Sequence, residues 1–174
     1  MMIENYRPTF LVEAVYLLTP SMLKRHGVKA VLVDLDNTLI AWDHPLGTPE
    51  LHGWLSEMRE AEIPVLVVSN NKYSRIKRAV EPFGVDFVSR SMKPFGRGFK
   101  RAKRKLNLEY AEMLMVGDQL MTDIRGSNRM GIPSVLVRPL VQSDAWITKF
   151  NRARERRVWS KLSQKYDMTF KKGI

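Results

Sequence analysis

The chain has 174 residues, of which 44% are hydrophobic and 27% charged, the composition of a globular protein that can bury a core. It contains no cysteine, which excludes disulfides, thiolate metal sites and cysteine nucleophiles. The formal net charge of +11 indicates anionic partners, such as nucleic acid, ribosomes, lipid surfaces or polyanionic substrates.

Residues 1–27 predict an accessory helical element that precedes the first strand. Its apolar stripe, from Phe10 to Leu18, is predicted to pack on the body of the protein, with contact to a membrane surface as the alternative. The N-terminus has no export-signal pattern, and no run approaches the roughly 18 apolar residues that cross a bilayer. We therefore expect a cytoplasmic protein, with peripheral binding at the inner face of the membrane left open.

The middle of the chain alternates short apolar runs with helical patterns. The runs predict buried strands at Ala30–Val33, Val65–Val68, Asp86–Val88, Met113–Val116 and Ser134–Val137. Between them, helices are predicted from Thr48 to about Glu62, over Tyr73–Phe83, over Gly98–Leu106 and near Thr122–Met130. This alternation is typical of an α/β fold, in which a parallel sheet carries helices on both faces.

Residues 142–165 predict a basic C-terminal helix. The last few residues of the chain, beyond this helix, are expected to fray. Its apolar stripe would consist of Trp146, Phe150, Trp159 and Leu162. The chain is thus predicted to be a single domain, with an N-terminal extension over 1–27, a catalytic core over 28–140 and a basic segment over 141–174.

Two carboxylates, Asp34 and Asp36, follow the first predicted strand of the core. At the turn that ends a strand they can converge on one small volume and supply the oxygen ligands that Mg²⁺ requires. One carboxylate can then attack phosphorus, and the other can protonate the leaving oxygen and later activate water.

The other predicted strand ends carry groups that suit phosphate. Ser69 and Asn70 offer a hydroxyl and main-chain N–H groups, and Lys93 places an ammonium at a predicted helix start. Asp118 and Asp123 add the carboxylates that would complete a Mg²⁺ site. Because phosphoryl transfer depends on positioning and charge neutralisation, this set predicts phosphate chemistry.

The order D-x-D-N-T, S-N, K-P and G-D-Q-x-x-T-D resembles the four motifs of the haloacid dehalogenase (HAD) superfamily. The resemblance implies a Rossmann-like fold and a Mg²⁺-dependent phosphatase. The resemblance implies that Asp34 is the nucleophile and a metal ligand, and that Asp36 is the general acid/base and a ligand through its carbonyl. It implies further that Thr38 orients Asp36, that Ser69 and Asn70 bind phosphate, and that Lys93 stabilises the phosphoaspartate. Asp118 and Asp123 would be metal ligands.

Neither residues 39–68 nor 71–92 leave room for a cap domain, so an open site is expected. The pattern R-P-x-x-x-V-x-x-V-x-x-L-x-P-x-x-L, from Arg7 to Leu23, with V-D-L-D-N-T-L, is similar to the uncapped, YqeG-type group of subclass IIIA. That group is related to mitochondrial phosphatidylglycerophosphate phosphatases. The resemblance implies phosphatidylglycerophosphate, or another bulky phosphate ester, as substrate.

Several alternatives stay open at this point. Nucleotides, sugar phosphates and phosphoproteins are rival substrates, and a basic RNA- or ribosome-binding module that retains the site is a rival function. The basic clusters at 93–105 and after Asn151 would bind an anionic membrane, RNA or only solvent. Trp42, in the loop after the first motif, is predicted to pack or to contact substrate.

Overall fold

One six-stranded sheet organises the chain in the computed structural model. The structure describes residues 2–41, 43–141 and 149–174, and in the last of these ranges it describes side chains from residue 153 onward. All neighbouring strands are parallel, and their order is β1-β6-β5-β2-β3-β4. The strands are β1 (Phe10–Val12), β2 (Ala30–Val33), β3 (Val65–Val68), β4 (Asp86–Val88), β5 (Met113–Gly117) and β6 (Ser134–Val137).

Within the described ranges, six α-helices connect or flank these strands: α1 (Pro20–Arg25), α2 (Pro49–Glu60), α3 (Tyr73–Val80), α4 (Arg97–Leu106), α5 (Arg125–Met130) and α6 (Lys149–Lys165). Short 3₁₀ turns lie at Ile3–Tyr6, Val15–Leu17, Glu81–Phe83 and Tyr110–Glu112, and a π-helical turn at Leu120–Ile124 precedes α5. The predicted start of α2 is confirmed, because the Thr48 hydroxyl accepts a hydrogen bond from the Leu51 N–H at 3.3 Å.

Apolar side chains cover both faces of the sheet, as the valine-rich strands predict. On one face, Val31, Val33 and Val67 belong to a cluster that includes Trp54 of α2 and Ile76 of α3. On the other, the alternate strand residues pack with α4 and form a second cluster of Ala30, Leu32, Leu66, Val68, Met113, Met115, Phe99 and Ala102. The predicted α/β fold, a parallel sheet with helices on both faces, is confirmed.

The order of the strands places the functional loops at one edge of the sheet. From β2 the chain proceeds outward to β3 and β4, whereas β5 lies on the other side of β2 and is followed by β6. The direction of the connections therefore reverses between β2 and β5. In open α/β sheets, ligands bind at the carboxyl ends of the strands on either side of such a reversal.

The prediction for the N-terminal segment is wrong at Phe10–Leu18, which does not form a helix. Phe10–Val12 is the edge strand β1 and pairs with β6, and Val15–Leu17 forms one 3₁₀ turn. Val12, Val15 and Leu18 are fully buried in the core, so they face protein and not a membrane. Pairing with the otherwise open edge of β6 satisfies main-chain groups that a short helix would leave unpaired.

The C-terminal helix is confirmed from Lys149 to Lys165, whereas the predicted start at 142–148, including Trp146, lies outside the described residues. Leu162 is buried and Trp159 packs beside it, in a cluster with Ile124 and Leu136. The prediction that the last residues fray is wrong, because the Lys171 N–H donates to the Leu11 carbonyl at 2.9 Å. This contact joins the C-terminal segment to β1.

The expected absence of a cap agrees with the described part of the chain. The connection from β2 to β3 holds a loop and α2, and the connection from β3 to β4 holds α3 and one 3₁₀ turn. Trp42 lies in the first connection but outside the described residues. No helix within the described ranges is long and apolar enough to cross a membrane.

Candidate active site

Three carboxylates meet where β2 and β5 end. Asp34 follows β2 directly, and its N–H donates to the Val116 carbonyl of β5 at 2.9 Å, which fixes the start of the loop against the neighbouring strand. Asp118 follows β5, and Asp123 lies in the π-helical turn beyond it. Each of the three offers a carboxylate oxygen within 4.8 Å of the others.

Lys93 lies among these carboxylates and is almost completely enclosed. Its Nζ donates to Asp34 Oδ1 and to Asp123 Oδ1, both at 2.7 Å, and 2% of its side chain is exposed. The side chain of Asn70 holds the loop that carries it, because Asn70 Oδ1 accepts from the Lys93 N–H at 2.7 Å and its amide donates to the Lys93 carbonyl at 3.0 Å. Asn70, in the loop after β3, therefore holds the main chain of Lys93, while Asp34 and Asp123 hold its ammonium.

Burial and crowding raise the pKa values of two of the carboxyl groups. Burial raises the pKa of Asp34 to about 6, with Asp123 adding to the rise and Lys93 opposing it. Burial, with Asp123 and Asp34 nearby, raises the pKa of Asp118 well above its ordinary value. For Lys93, burial lowers the pKa, but Asp123 and Asp34 outweigh it and hold the pKa above the ordinary value, so the side chain is an ammonium.

Gly117 is required by the closeness of Asp123. A Cβ at position 117 would lie 2.3 Å from Asp123 Oδ2, well inside van der Waals contact. The same oxygen accepts from the Gln119 N–H at 3.2 Å, and the other is bound to Lys93, so the carboxylate is held on both sides. The glycine of the G-D pair thus permits the packing that places Asp123 in the site.

Asp36 points to different partners. Arg75, in the first turn of α3, donates to both oxygens of Asp36 at 2.8 Å, and the Asn71 amide donates to Oδ2, also at 2.8 Å. About a quarter of the Asp36 side chain is exposed, at 23%. Its carboxylate is thus held by a bidentate ion pair next to, and not within, the group formed by Asp34, Asp118 and Asp123.

Thr38 was expected to orient Asp36, but in the structure its hydroxyl contacts Asp118 instead. The buried Thr38 hydroxyl donates to Asp118 Oδ1 at 3.2 Å. The chain turns at Asn37, which has a φ of 61° and whose N–H donates to the Ile40 carbonyl. Because of this turn Thr38 lies on the β5 side of the site, where it orients a predicted metal ligand.

Ser69 and Asn70 both line the pocket that contains Asp34, a cavity of about 200 Å³. The Ser69 hydroxyl accepts from the Asn71 N–H at 3.2 Å. The Asn70 side chain joins the β3 and β4 loops, since its oxygen also accepts from the Ser91 hydroxyl at 2.7 Å. Contact of either residue with phosphate stays a prediction, and for Asn70 it would use the main-chain N–H.

The site and fold agree with a known enzyme family. The sequence profile of the haloacid dehalogenase-like hydrolases matches residues 19–131, which is more than half of the chain. The chain belongs to this family. The predicted enzyme class, a hydrolase of the HAD phosphatase type, is confirmed.

This HAD hydrolase is similar in sequence to two known proteins and in fold to one solved structure. It is 43% identical over 165 residues to a Bacillus subtilis (strain 168) protein described as "Probable phosphatase YqeG", with 95% of this chain and 96% of that protein covered. It is 30% identical over 119 residues to the ribulose-1,5-bisphosphate 5-phosphatase of Halopiger xanaduensis, with 63% of this chain and 50% of that protein covered. An uncharacterized protein from Listeria monocytogenes serotype 4b has the same fold, with a TM-score of 0.54, 20% identity, and 79% and 99% of the two chains covered.

The donor set of this HAD hydrolase fits a small divalent cation. The three clustered groups are carboxylates, and burial, with the neighbouring carboxylates adding to it, raises the pKa values of Asp34 and Asp118. A hard cation with oxygen ligands would relieve this repulsion, and carboxylates are the ligands that Mg²⁺ prefers. The expected carbonyl ligand of Asp36 stays a prediction.

Sequence reasoning missed two residues that contact Asp36. Asn71 directly follows the predicted S-N pair, and Arg75 is the third residue of α3. A helix that begins at the carboxyl end of a strand points its first side chains back toward that end. A basic residue in the first turn after the S-N motif was therefore the available signal for Arg75.

Proposed function

We propose that this protein is a Mg²⁺-dependent phosphomonoester hydrolase in which Asp34 forms an aspartyl-phosphate. The observation that carries the proposal is the position of Asp34, which is buried at the end of β2 with its carboxylate 2.7 Å from the Lys93 ammonium. A phosphate that entered the adjoining pocket would meet this carboxylate. The pocket is also lined by Asp36, Ser69 and Asn70.

In the first step, a carboxylate oxygen of Asp34 attacks phosphorus as the bond to the leaving oxygen breaks. The leaving alkoxide takes a proton from Asp36, and the phosphoryl group becomes an acyl phosphate on Asp34. In the second step Asp36 takes a proton from water, and the resulting nucleophile attacks phosphorus. Inorganic phosphate then leaves, and the Asp34 carboxylate and protonated Asp36 are restored.

Arg75 and Asn71 donate hydrogen bonds to the carboxylate oxygens of Asp36, so this pair must open before Asp36 can reach a leaving oxygen. A phosphate dianion in the pocket would compete with Asp36 for the guanidinium, since both accept bidentate hydrogen bonds from arginine. We propose that substrate binding weakens the Arg75–Asp36 pair. Asp36 is then able to move a proton, and Arg75 contributes positive charge near the phosphate.

The developing negative charge is stabilised by groups that are already in place. Lys93, the Ser69 hydroxyl and the N–H groups of the β3 loop are the donors of this chain, and they need little reorganisation during the reaction. Asp34, Asp118 and Asp123, with the Asp36 carbonyl, would hold Mg²⁺. When bound, the ion supplies positive charge to the transferring phosphoryl group.

For the substrate we propose phosphatidylglycerophosphate or another bulky phosphate ester, and we assign the protein to the uncapped subclass IIIA branch. The short connections after β2 and β3 support this proposal, because a site without a cap admits large leaving groups. The excess of basic residues supports an anionic surface as the place of action, with peripheral contact to the membrane. The 43% identity to the YqeG protein agrees with the branch.

The test measures phosphate release from phosphatidylglycerophosphate in mixed micelles and from a panel of nucleotides, sugar phosphates, phosphopeptides and p-nitrophenyl phosphate. Each substrate is tried with Mg²⁺ and with EDTA. Mg²⁺-dependent release from the lipid supports the full proposal. Release from the panel alone retains the phosphatase and rejects the lipid, whereas salt-dependent RNA binding without any turnover would favour the binding module.

A further inference from the structure

We infer that a cleft beside the catalytic pocket binds a second anionic group, carried by the leaving group of the substrate. The arginine cleft, as we call it, is lined by Tyr73, Arg90, Met92, Phe95, Arg97 and Arg101. The inference rests on the proposed phosphatase function and specifies its substrate class. The substrate would be a phosphomonoester with a second phosphate or similar anion attached through an apolar or extended linker.

The arginine cleft is continuous with the catalytic pocket. Asn70 and Lys93 line both cavities, so a molecule in the cleft lies directly beside the residue that contacts Asp34. The volumes differ, at about 940 Å³ for the cleft and about 200 Å³ for the pocket. The smaller cavity suits a phosphoryl group, and the larger one has room for the rest of the substrate.

Charge in the cleft has one sign. Arg90 and Arg97 are exposed, and no carboxylate within the described ranges forms an ion pair with either. Arg101 is partly buried and donates to the Ser89 carbonyl at 2.7 Å, which fixes its guanidinium at the wall. None of the residues that line the cleft is acidic. Guanidinium groups of this kind bind phosphate through paired hydrogen bonds.

Apolar side chains complete the wall, and their exposure is unusual for this protein. Tyr73, Met92 and Phe95 are 58%, 50% and 59% exposed. They are half of the six large hydrophobic residues that are exposed in the described part of the chain. Exposed apolar side chains that cluster at a cavity indicate a ligand-binding surface, whereas single exposed apolar residues scattered over a protein do not. The linker between the two anionic groups would lie against them.

Hydrogen bonds hold the cleft in shape. Arg90 has a φ of 46°, and its N–H donates to the Asn71 carbonyl at 2.9 Å. The next N–H, of Ser91, donates to the Ser69 carbonyl at 3.0 Å. The segment that carries Arg90 is thus fastened to the same β3 loop that lines the catalytic pocket, so the two anion sites keep a fixed separation.

The experiment compares phosphomonoesters whose leaving group carries a second anion with phosphomonoesters whose leaving group carries none. Hexyl phosphate is compared with hexanediol bisphosphate in solution, and phosphatidic acid is compared with phosphatidylglycerophosphate in mixed micelles. The readout is the ratio of kcat/KM for the two members of each pair. The proteins are the wild type, the double variant Arg90→Gln/Arg97→Gln, and Arg104→Gln, which removes one positive charge from an exposed position of α4 outside the cleft.

In at least one pair the wild type should prefer the substrate with the second anion. The double variant should lower that ratio by about tenfold, the value of one or two partly exposed charge-assisted hydrogen bonds, and Arg104→Gln should keep it. An effect in the soluble pair identifies a free bisphosphate, and an effect in the lipid pair identifies a headgroup. Unchanged ratios in the double variant, or an equal fall in Arg104→Gln, would overturn the inference. Absence of Mg²⁺-dependent hydrolysis of all four esters would overturn the phosphatase proposal itself.

Discussion

The ammonium of Lys93 lies 2.7 Å from the carboxylate of Asp34, and 2% of the lysine side chain reaches solvent. The two residues are 59 positions apart in the sequence, and they come from loops after different strands. Lys93 also binds Asp123 at the same distance. One buried ammonium therefore offsets much of the negative charge of the carboxylates at this edge of the sheet.

Removal of this cation should destabilise the metal-free protein. We expect Lys93→Gln to lower the free energy of unfolding in EDTA by roughly 3 kcal/mol, the usual cost of leaving buried charges without their partner. Urea denaturation monitored by circular dichroism would measure this change. Lys100→Gln, at an exposed position of α4, is the control and should change the value by less than about 0.5 kcal/mol. Equal stabilities of both variants would show that Lys93 does not balance these charges.

A methyl group at position 117 should disturb the same site sterically. Gly117→Ala would place Cβ 2.3 Å from a carboxylate oxygen that cannot move freely, and should lower the free energy of unfolding by about 1–3 kcal/mol. Gly53→Ala is the matched control, because a Cβ there meets no atom within 4 Å and Gly53 lies inside α2. That control should stabilise the protein by up to about 1 kcal/mol. Thermal unfolding of both variants would reveal whether the two substitutions have opposite signs.

The sequence predicted five of the six strands that lie in the described part of the chain. Four of them coincide with short apolar runs, and Asp86–Val88 is a shorter stretch with two apolar residues. The sequence missed β1, because Phe10–Val12 is only three residues long and is followed, after Glu13, by further apolar residues up to Leu18. Edge strands of this length form through tertiary pairing, here with β6, and local propensity carries little information about them.

The candidate site was predictable as a set of residues, since the ends of parallel strands meet at one edge of the sheet. Their pairwise contacts were not. That Thr38 binds Asp118, and that Arg75 binds Asp36, depends on the turn at Asn37 and on the angle at which α3 leaves its strand. Sequence spacing does not determine either, and both were found only in the structure.

Glu155 gives a test of how α6 contacts the loop that carries Asp118 and Asp123. Its Oε1 accepts from the Met121 N–H at 2.9 Å. Burial raises the pKa of Glu155 from its ordinary value of 4.5 to about 7, opposed by the hydrogen bond from Met121 and assisted by Asp123. The folded state therefore keeps a proton that the unfolded state releases, and this contribution to stability falls as pH rises from about 4.5 to about 7.

Glu155→Gln should remove this part of the pH dependence. The free energy of unfolding of the variant minus that of the wild type should rise by up to roughly 3 kcal/mol between about pH 5 and pH 8. Urea denaturation at the two pH values measures the difference, and the subtraction cancels the other titrating groups. A difference that stays constant or falls with pH would contradict the raised pKa of the partly buried Glu155.

Binding of Mg²⁺ should stabilise the fold, because an ion that binds only the native state shifts the unfolding equilibrium. At a Mg²⁺ concentration about 100 times Kd, the gain is about 2.7 kcal/mol. Asp118→Asn should abolish most of the shift in Tm, whereas Asp86→Asn, at an exposed position of β4 remote from the cluster, should keep it. Equal shifts for both variants would mean that Mg²⁺ binds elsewhere.

The central claim is that Asp34 accepts the phosphoryl group, and one measurement tests it most directly. Asp36→Asn is mixed with p-nitrophenyl phosphate and Mg²⁺, quenched in acid and mapped by peptide mass spectrometry. With an activated leaving group, we expect phosphate to accumulate on the peptide that contains Asp34, and Asp34→Asn to show neither the adduct nor more than about one ten-thousandth of wild-type turnover. Phosphate on another residue, or substantial turnover by Asp34→Asn, would contradict the account.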